Sequence, residues 1–182
     1  MRRHHILAAL EEARRLTGHA EFVVIGSLSI LGLDEGDTIP QDMSMSIDID
    51  CYTRAVPQRI YDVVPLLGEG SPFQREHGYF LDPVSPALPT LPHGWEGRLA
   101  LVEQLPLRVW FLDPDDAAVS KYARSEPHDI RWIRAGLRSG WVSLPKVRSR
   151  LVSTTFLDPQ EEQRVRAQVQ ADADWLANAL RR

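Results

Sequence analysis

The chain has 182 residues, of which 43% are hydrophobic and 25% charged, a composition that excludes intrinsic disorder and gives a core large enough to fold without disulfides or a structural metal. A net charge of −4 excludes a general polyanion wrapper, and one cysteine excludes a disulfide framework or a multi-cysteine zinc site. No stretch reaches the ~20 apolar residues of a membrane span, and Glu11 and Glu12 early in the chain argue against a signal peptide, so a cytoplasmic location with no membrane partner is expected.

Residues 3–17 place Ile6, Leu7, Leu10, Ala13 and Leu16 at helical spacing, and Thr17-Gly18 closes the run. Residues 21–25 (EFVVI) read as a short buried strand that stops at Gly26-Ser27, followed by a short helix (SLSILGL) and a loop (DEGDTIPQD). Met43 to Tyr52 alternates: Met43, Met45, Ile47, Ile49 and Cys51 on one face, Ser44, Ser46, Asp48, Asp50 and Tyr52 on the other, the period of a strand. A helix over 56–67, shortened by Pro65, precedes a strand at 78–84. The stretch 83–106, with Pro83, Pro86, Pro89, Pro92 and Pro106, reads as a loop-rich excursion anchored by Trp95. A strand at 107–112 leads through Asp113-Pro114 into a helix ending at Arg124, and a further helix spans about 127–138. The run Asp158-Pro159-Gln160-Glu161 opens a last helix with Val165, Val169, Ala173, Leu176 and Leu180 as its apolar stripe. Helix, then strands separated by helices, then helices means an α/β (α+β) fold with a mixed sheet of about four to five strands. We expect a core domain over 1–150 and a C-terminal helical extension, 151–182, packed on it.

Two features carry chemistry. A glycine between a buried strand and a helix lets the backbone approach a ligand, and the helix start offers free N–H groups that suit phosphate; Gly26-Ser27 fits, as does an ordinary turn. Asp48 and Asp50, at i and i+2 on a strand, point to one face, where two like charges call for a cation. A D-x-D strand beside a phosphate-binding turn suits metal-assisted phosphoryl or nucleotidyl transfer. No P-loop, dinucleotide fingerprint or zinc-type histidine spacing occurs. His4 and His5 read as surface residues and Cys51 as a small buried hydrophobe. Arg131, Arg134, Arg138, Lys146, Arg148 and Arg150 make the C-terminal third locally basic, either a solvated face or an RNA or nucleotide-phosphate groove.

VVIGSLSILGL followed by SIDIDCY resembles the G-S … D-x-D signature of the DNA polymerase β-like nucleotidyltransferase fold. With GEGSPFQREHGYFLDPV, LPHGWEGRL, LDPDDAAVSKYARSEPHDIRWI and RAGLRSGWVS, the region from about 20 to 145 resembles small bacterial nucleotidyltransferases of unassigned function, allied to the abortive-infection toxins of type IV toxin–antitoxin systems. The resemblance implies that Gly26 and Ser27 hold the triphosphate of an NTP substrate and that Asp48 and Asp50 bind Mg²⁺. It implies that Lys121, in a K-x-A motif, contacts the nucleotide phosphates, and that Asp129 acts in catalysis or positioning. The third acid is expected from the strand after D-x-D, which favours Asp82 over Asp113, Asp115 and Asp116. Two departures stand out: twenty residues separate Ser27 from Asp48, which makes the intervening loop a lid or specificity element, and His128 replaces a basic residue. The implied activity is transfer of a nucleoside monophosphate to an RNA or protein hydroxyl, with a toxin-like role, an antitoxin protein as partner and no DNA substrate. The alternative is a catalytically idle scaffold that binds nucleotide or a partner protein.

Overall fold

A computed structural model describes residues 1–179 and 181. Helix α1 (Arg3–Thr17) buries Ile6, Leu7, Ala9, Leu10 and Ala13 and ends on Gly18 in the left-handed conformation; Leu16 faces solvent. Strand β1 (Glu21–Val24) is the middle strand of a five-stranded mixed sheet. Around it lie β2 (Asp48–Thr53), β3 (Phe80–Pro83), β4 (Ala100–Gln104) and β5 (Leu107–Phe111), in the order β3-β2-β1-β5-β4. β1 pairs antiparallel with β2 and parallel with β5, β2 is parallel to β3, and β4–β5 is an antiparallel hairpin. Phe22, Val23 and Val24 are all buried, so both faces of the central strand are covered.

The remaining helices are α2 (Gln41–Ser44), α3 (Val64–Leu67), α4 (Pro72–His77), α5 (Pro114–Arg124), α6 (Pro127–Ser139), α7 (Leu144–Leu151) and α8 (Pro159–Ala179), with 3-10 turns over Ser27–Gly32, Pro57–Val63 and Trp95–Arg98. Local chemistry starts several of them. Asp113 accepts from the Asp115 N–H at 2.8 Å and Ser71 from the Gln74 N–H at 3.1 Å, each ahead of a proline. Val165 and Val169 of α8 join the same core as the sheet, and Asp172 of α8 is buried, accepting from Tyr122 Oη at 3.2 Å and Arg134 Nε at 2.9 Å. Leu180 lies outside the described residues.

Three expectations need correction. The strand does not start at Met43: 41–44 is a helical turn and pairing with β3 begins at Asp48 opposite Phe80. Met43 is buried under α6, where its carbonyl accepts from Trp132 Nε1, whereas Met45 and Ile47 are 58% and 50% exposed, so the apolar alternation over 43–47 is not one sheet face. The helix expected over 56–67 is a 3-10 turn followed by one short α-turn, because Pro65 at the start of α3 cannot donate to a continuing ladder. β4 lies inside the proline-rich excursion; as a half-exposed edge strand it lacks a buried alternation. The basic stretch after 140 contains α7, which opens with Leu144-Pro145.

Candidate active site

The turn after β1 sets the geometry. The Ile25 N–H still donates to the Asp50 carbonyl at 2.9 Å, and the chain then turns at Gly26 with φ 70°. A Cβ on Gly26 would lie 1.9 Å from Asp50 Oδ2, so both the dihedral and the space require glycine. Ser27 follows at the head of the 3-10 turn, and its hydroxyl accepts from Lys121 Nζ at 2.8 Å.

Asp48 and Asp50 project from one face of β2, while Ile49 and Cys51 between and after them are buried in the core. Asp82 sits directly opposite Asp50 in the parallel β2–β3 register. The three carboxylates can each offer an oxygen with all three atoms within 4.8 Å of one another. Burial, then the charges of Asp48 and Asp82, push the Asp50 pKa up to about 7; burial, then Asp48 and Glu69, raise that of Asp82. An all-oxygen, like-charged set of this spacing fits a hard divalent cation, which would relieve the repulsion. Of the candidate third acids, Asp82 is the one that lies beside Asp48 and Asp50. Its rivals serve elsewhere: Asp116 takes two hydrogen bonds from Arg98 (2.9 and 3.0 Å), and Arg150 reaches Asp113 at 2.5 Å and Asp116 at 3.2 Å. This ion-pair network ties α5 to α7 and to the Trp95–Arg98 turn.

Beyond Asp50 opens a cleft of about 340 Å³. Gly26, Asp50, Lys121 and Arg124 form its polar end, with Ile25, Val84, Leu112 and Ala117 as apolar wall; Leu88-Pro89-Thr90 and Glu161 of α8 also line it. Lys121, buried, donates to Asp129 Oδ1 at 3.0 Å, and Arg124 grips the same carboxylate at 2.7 and 2.6 Å. Burial works to raise the Asp129 pKa, but the Arg124 and Lys121 bonds outweigh it and hold the carboxyl below its ordinary range. Burial lowers that of Lys121 against the pull of Asp129. The Asp129 carboxylate is thus engaged by two cations. His128 lies 3.2 Å from Arg124 and 3.6 Å from Asp129.

Arg124 and Glu161 of α8 were not legible as cleft residues. The i, i+3 spacing of Lys121 and Arg124, which puts both cations on one helical face, was the available signal for the first. The basic residues of the C-terminal third do not converge on the cleft. Lys146 and Arg150 turn to the Asp113–Asp116 cluster, Arg148 bonds Gln170, and Arg131, Arg134 and Arg138 line a separate groove.

Among the described residues no helix is long and apolar enough to cross a membrane. No curated protein and no solved structure matches the chain. A family model described as nucleotidyltransferase of unknown function (DUF6036) matches residues 4–179, nearly the whole chain, with the Gly26 turn, the three acids, Lys121 and the α8 wall all inside the match. The chain therefore belongs to this nucleotidyltransferase family.

Proposed function

We propose that the chain transfers a nucleoside monophosphate from an NTP to an acceptor hydroxyl, with Mg²⁺ held by Asp48, Asp50 and Asp82. The observation that carries this reading is the placement of three mutually close carboxylates, one of them packed directly against the Gly26 turn, with a buried lysine bonded to Ser27 of that turn. An idle scaffold would not need the third acid.

In this reading the backbone N–H groups after Gly26, the Ser27 hydroxyl and Lys121 Nζ bind the triphosphate, and Arg124 adds charge at the mouth. The apolar wall of the cleft takes the nucleoside, which excludes water from the reacting phosphate. When bound, the metal neutralises the phosphate oxygens and supports the leaving group. The acceptor oxygen bonds to the α-phosphorus as the bond from that phosphorus to the bridging oxygen breaks. Pyrophosphate leaves with the electron pair, and the hydroxyl proton passes to an Asp82 carboxylate oxygen. Asp129 takes no proton; it orients Lys121 and Arg124.

A panel of the four NTPs, each with and without Mg²⁺, tests the reading by thermal shift. Stabilisation that needs both and grows with concentration is expected; no NTP-dependent shift in any combination would refute it. Labelled NTPs offered with total RNA and with lysate protein then identify the acceptor. The toxin-like role with an antitoxin partner follows from the sequence resemblance, and its test is growth arrest on induction, relieved by Asp50→Asn.

A further inference from the structure

Arg131, Arg134 and Arg138 fall within about 60° of one another around the α6 axis, on the face opposite buried Asp129, Trp132, Ile133 and Leu137. They line a groove of about 540 Å³ closed by Pro40, Asp42 and Trp175. The Arg134 and Arg138 guanidinium groups each lie 4.9 Å from the Trp175 ring, and Asp172 holds Arg134 from beneath. Among the described residues, the Arg131 and Arg138 side chains have no hydrogen-bond or carboxylate partner. The groove stays positive even when Asp42 and Asp172 are counted against it, on a chain of net charge −4.

This chemistry selects an anion, and its lining selects the kind. Protein interfaces bury an apolar centre, and here only Pro40, Ala135 and Trp175 are apolar, with no aliphatic anchor pocket. Guanidinium forks spaced along a helix beside an aromatic ring are the chemistry that holds phosphodiesters. The groove is linked to the acids through the chain: Asp42 at its rim precedes Asp48 by six residues, so the two lie no more than about 22 Å apart along extended chain.

We propose that this groove binds the phosphate backbone of a single-stranded nucleic acid and so guides the acceptor's terminal hydroxyl toward Asp48, Asp50 and Asp82. The guiding role rests on the nucleotidyl-transfer reading; the binding does not. The test is fluorescence anisotropy of a short single-stranded oligonucleotide, as RNA and as DNA, without NTP and with chelator present. Three phosphate contacts predict that raising salt from about 50 to 200 mM weakens binding roughly 20-fold. The double variant Arg131→Gln/Arg138→Gln, which breaks no ion pair among the described residues, should bind more weakly and lose only about threefold over the same range. Binding by either nucleic acid supports the groove, and the one extended by labelled NTP is the acceptor. A salt-independent wild type, a double variant as tight as wild type, or equal competition by polyglutamate would each overturn it. The Mg²⁺–NTP thermal shift, run on the same proteins, separates the two ideas. Oligonucleotides that fail to bind a wild type that retains that shift sink the groove alone. Binding without any such shift sinks the transfer reading and leaves the groove standing.

Discussion

Replacing Asp50 by asparagine keeps its shape, which matters because its Oδ2 fills the space a Cβ on Gly26 would take. It removes only the charge. The folded chain holds the Asp50 proton up to about pH 7, whereas the unfolded chain releases it near 3.8. Between those values the folded state binds more protons, so stability falls as pH rises, and above about pH 7 the whole penalty is present. A displacement of about three pH units corresponds to about 4 kcal/mol, or about 10 °C in Tm for a chain of this size. Without divalent cations, the wild type should therefore melt lower at pH 8 than at pH 5 through Asp50, by the roughly two pH units of that displacement that lie above pH 5, about 2.7 kcal/mol or about 7 °C. Asp50→Asn should flatten that difference and be the more stable protein at pH 8. Adding Mg²⁺ at pH 8 should return stability to the wild type, about 2.7 kcal/mol at a hundred times Kd, and return little to the variant. Urea unfolding at the two pH values, with chelator or Mg²⁺, measures all of this. An Asp50→Asn protein less stable than wild type at pH 8 in chelator would refute the reasoning, since the carboxylate would then be a structural partner rather than one of three repelling charges.

Asp82→Asn should likewise spare folding while weakening Mn²⁺ or Mg²⁺ binding at least tenfold by calorimetric titration, because it removes one of three close oxygens; unchanged affinity would move the cation elsewhere. Gly26→Ala puts a methyl group against Asp50 at positive φ and should cost about 2 kcal/mol or more in urea unfolding; a variant with wild-type stability and nucleotide binding would show that the turn relaxes freely. Asp172→Asn removes the buried charge shared by Arg134 and Tyr122. It should cost about 3 kcal/mol and raise amide exchange along α8, and a neutral result would mean α8 is held by its apolar packing and other bonds without the Asp172 pair.

The sequence by itself determined the pieces that depend on neighbours in the chain. The D-x-D pair on one face of β2, the glycine that ends β1, the Asp-Pro start of α5, and the apolar stripe of α1 all follow from period, dihedral preference or capping within a few residues. What depended on packing was hidden. The alternation from Met43 to Ile47 looked like strand because Met43, buried in a helical turn under α6, and the exposed Met45 and Ile47 carry the same hydropathy as side chains on a sheet face. β4 was hidden because an edge strand buries little. Only the tertiary structure brought Asp82 opposite Asp50, through a parallel register across 32 residues of chain. Only the folded chain turned Lys121 to both Ser27 and Asp129, and sent the C-terminal arginines and lysine to three separate places. A charge's place in the sequence does not set its field; the carboxylates and rings that the fold places beside it do.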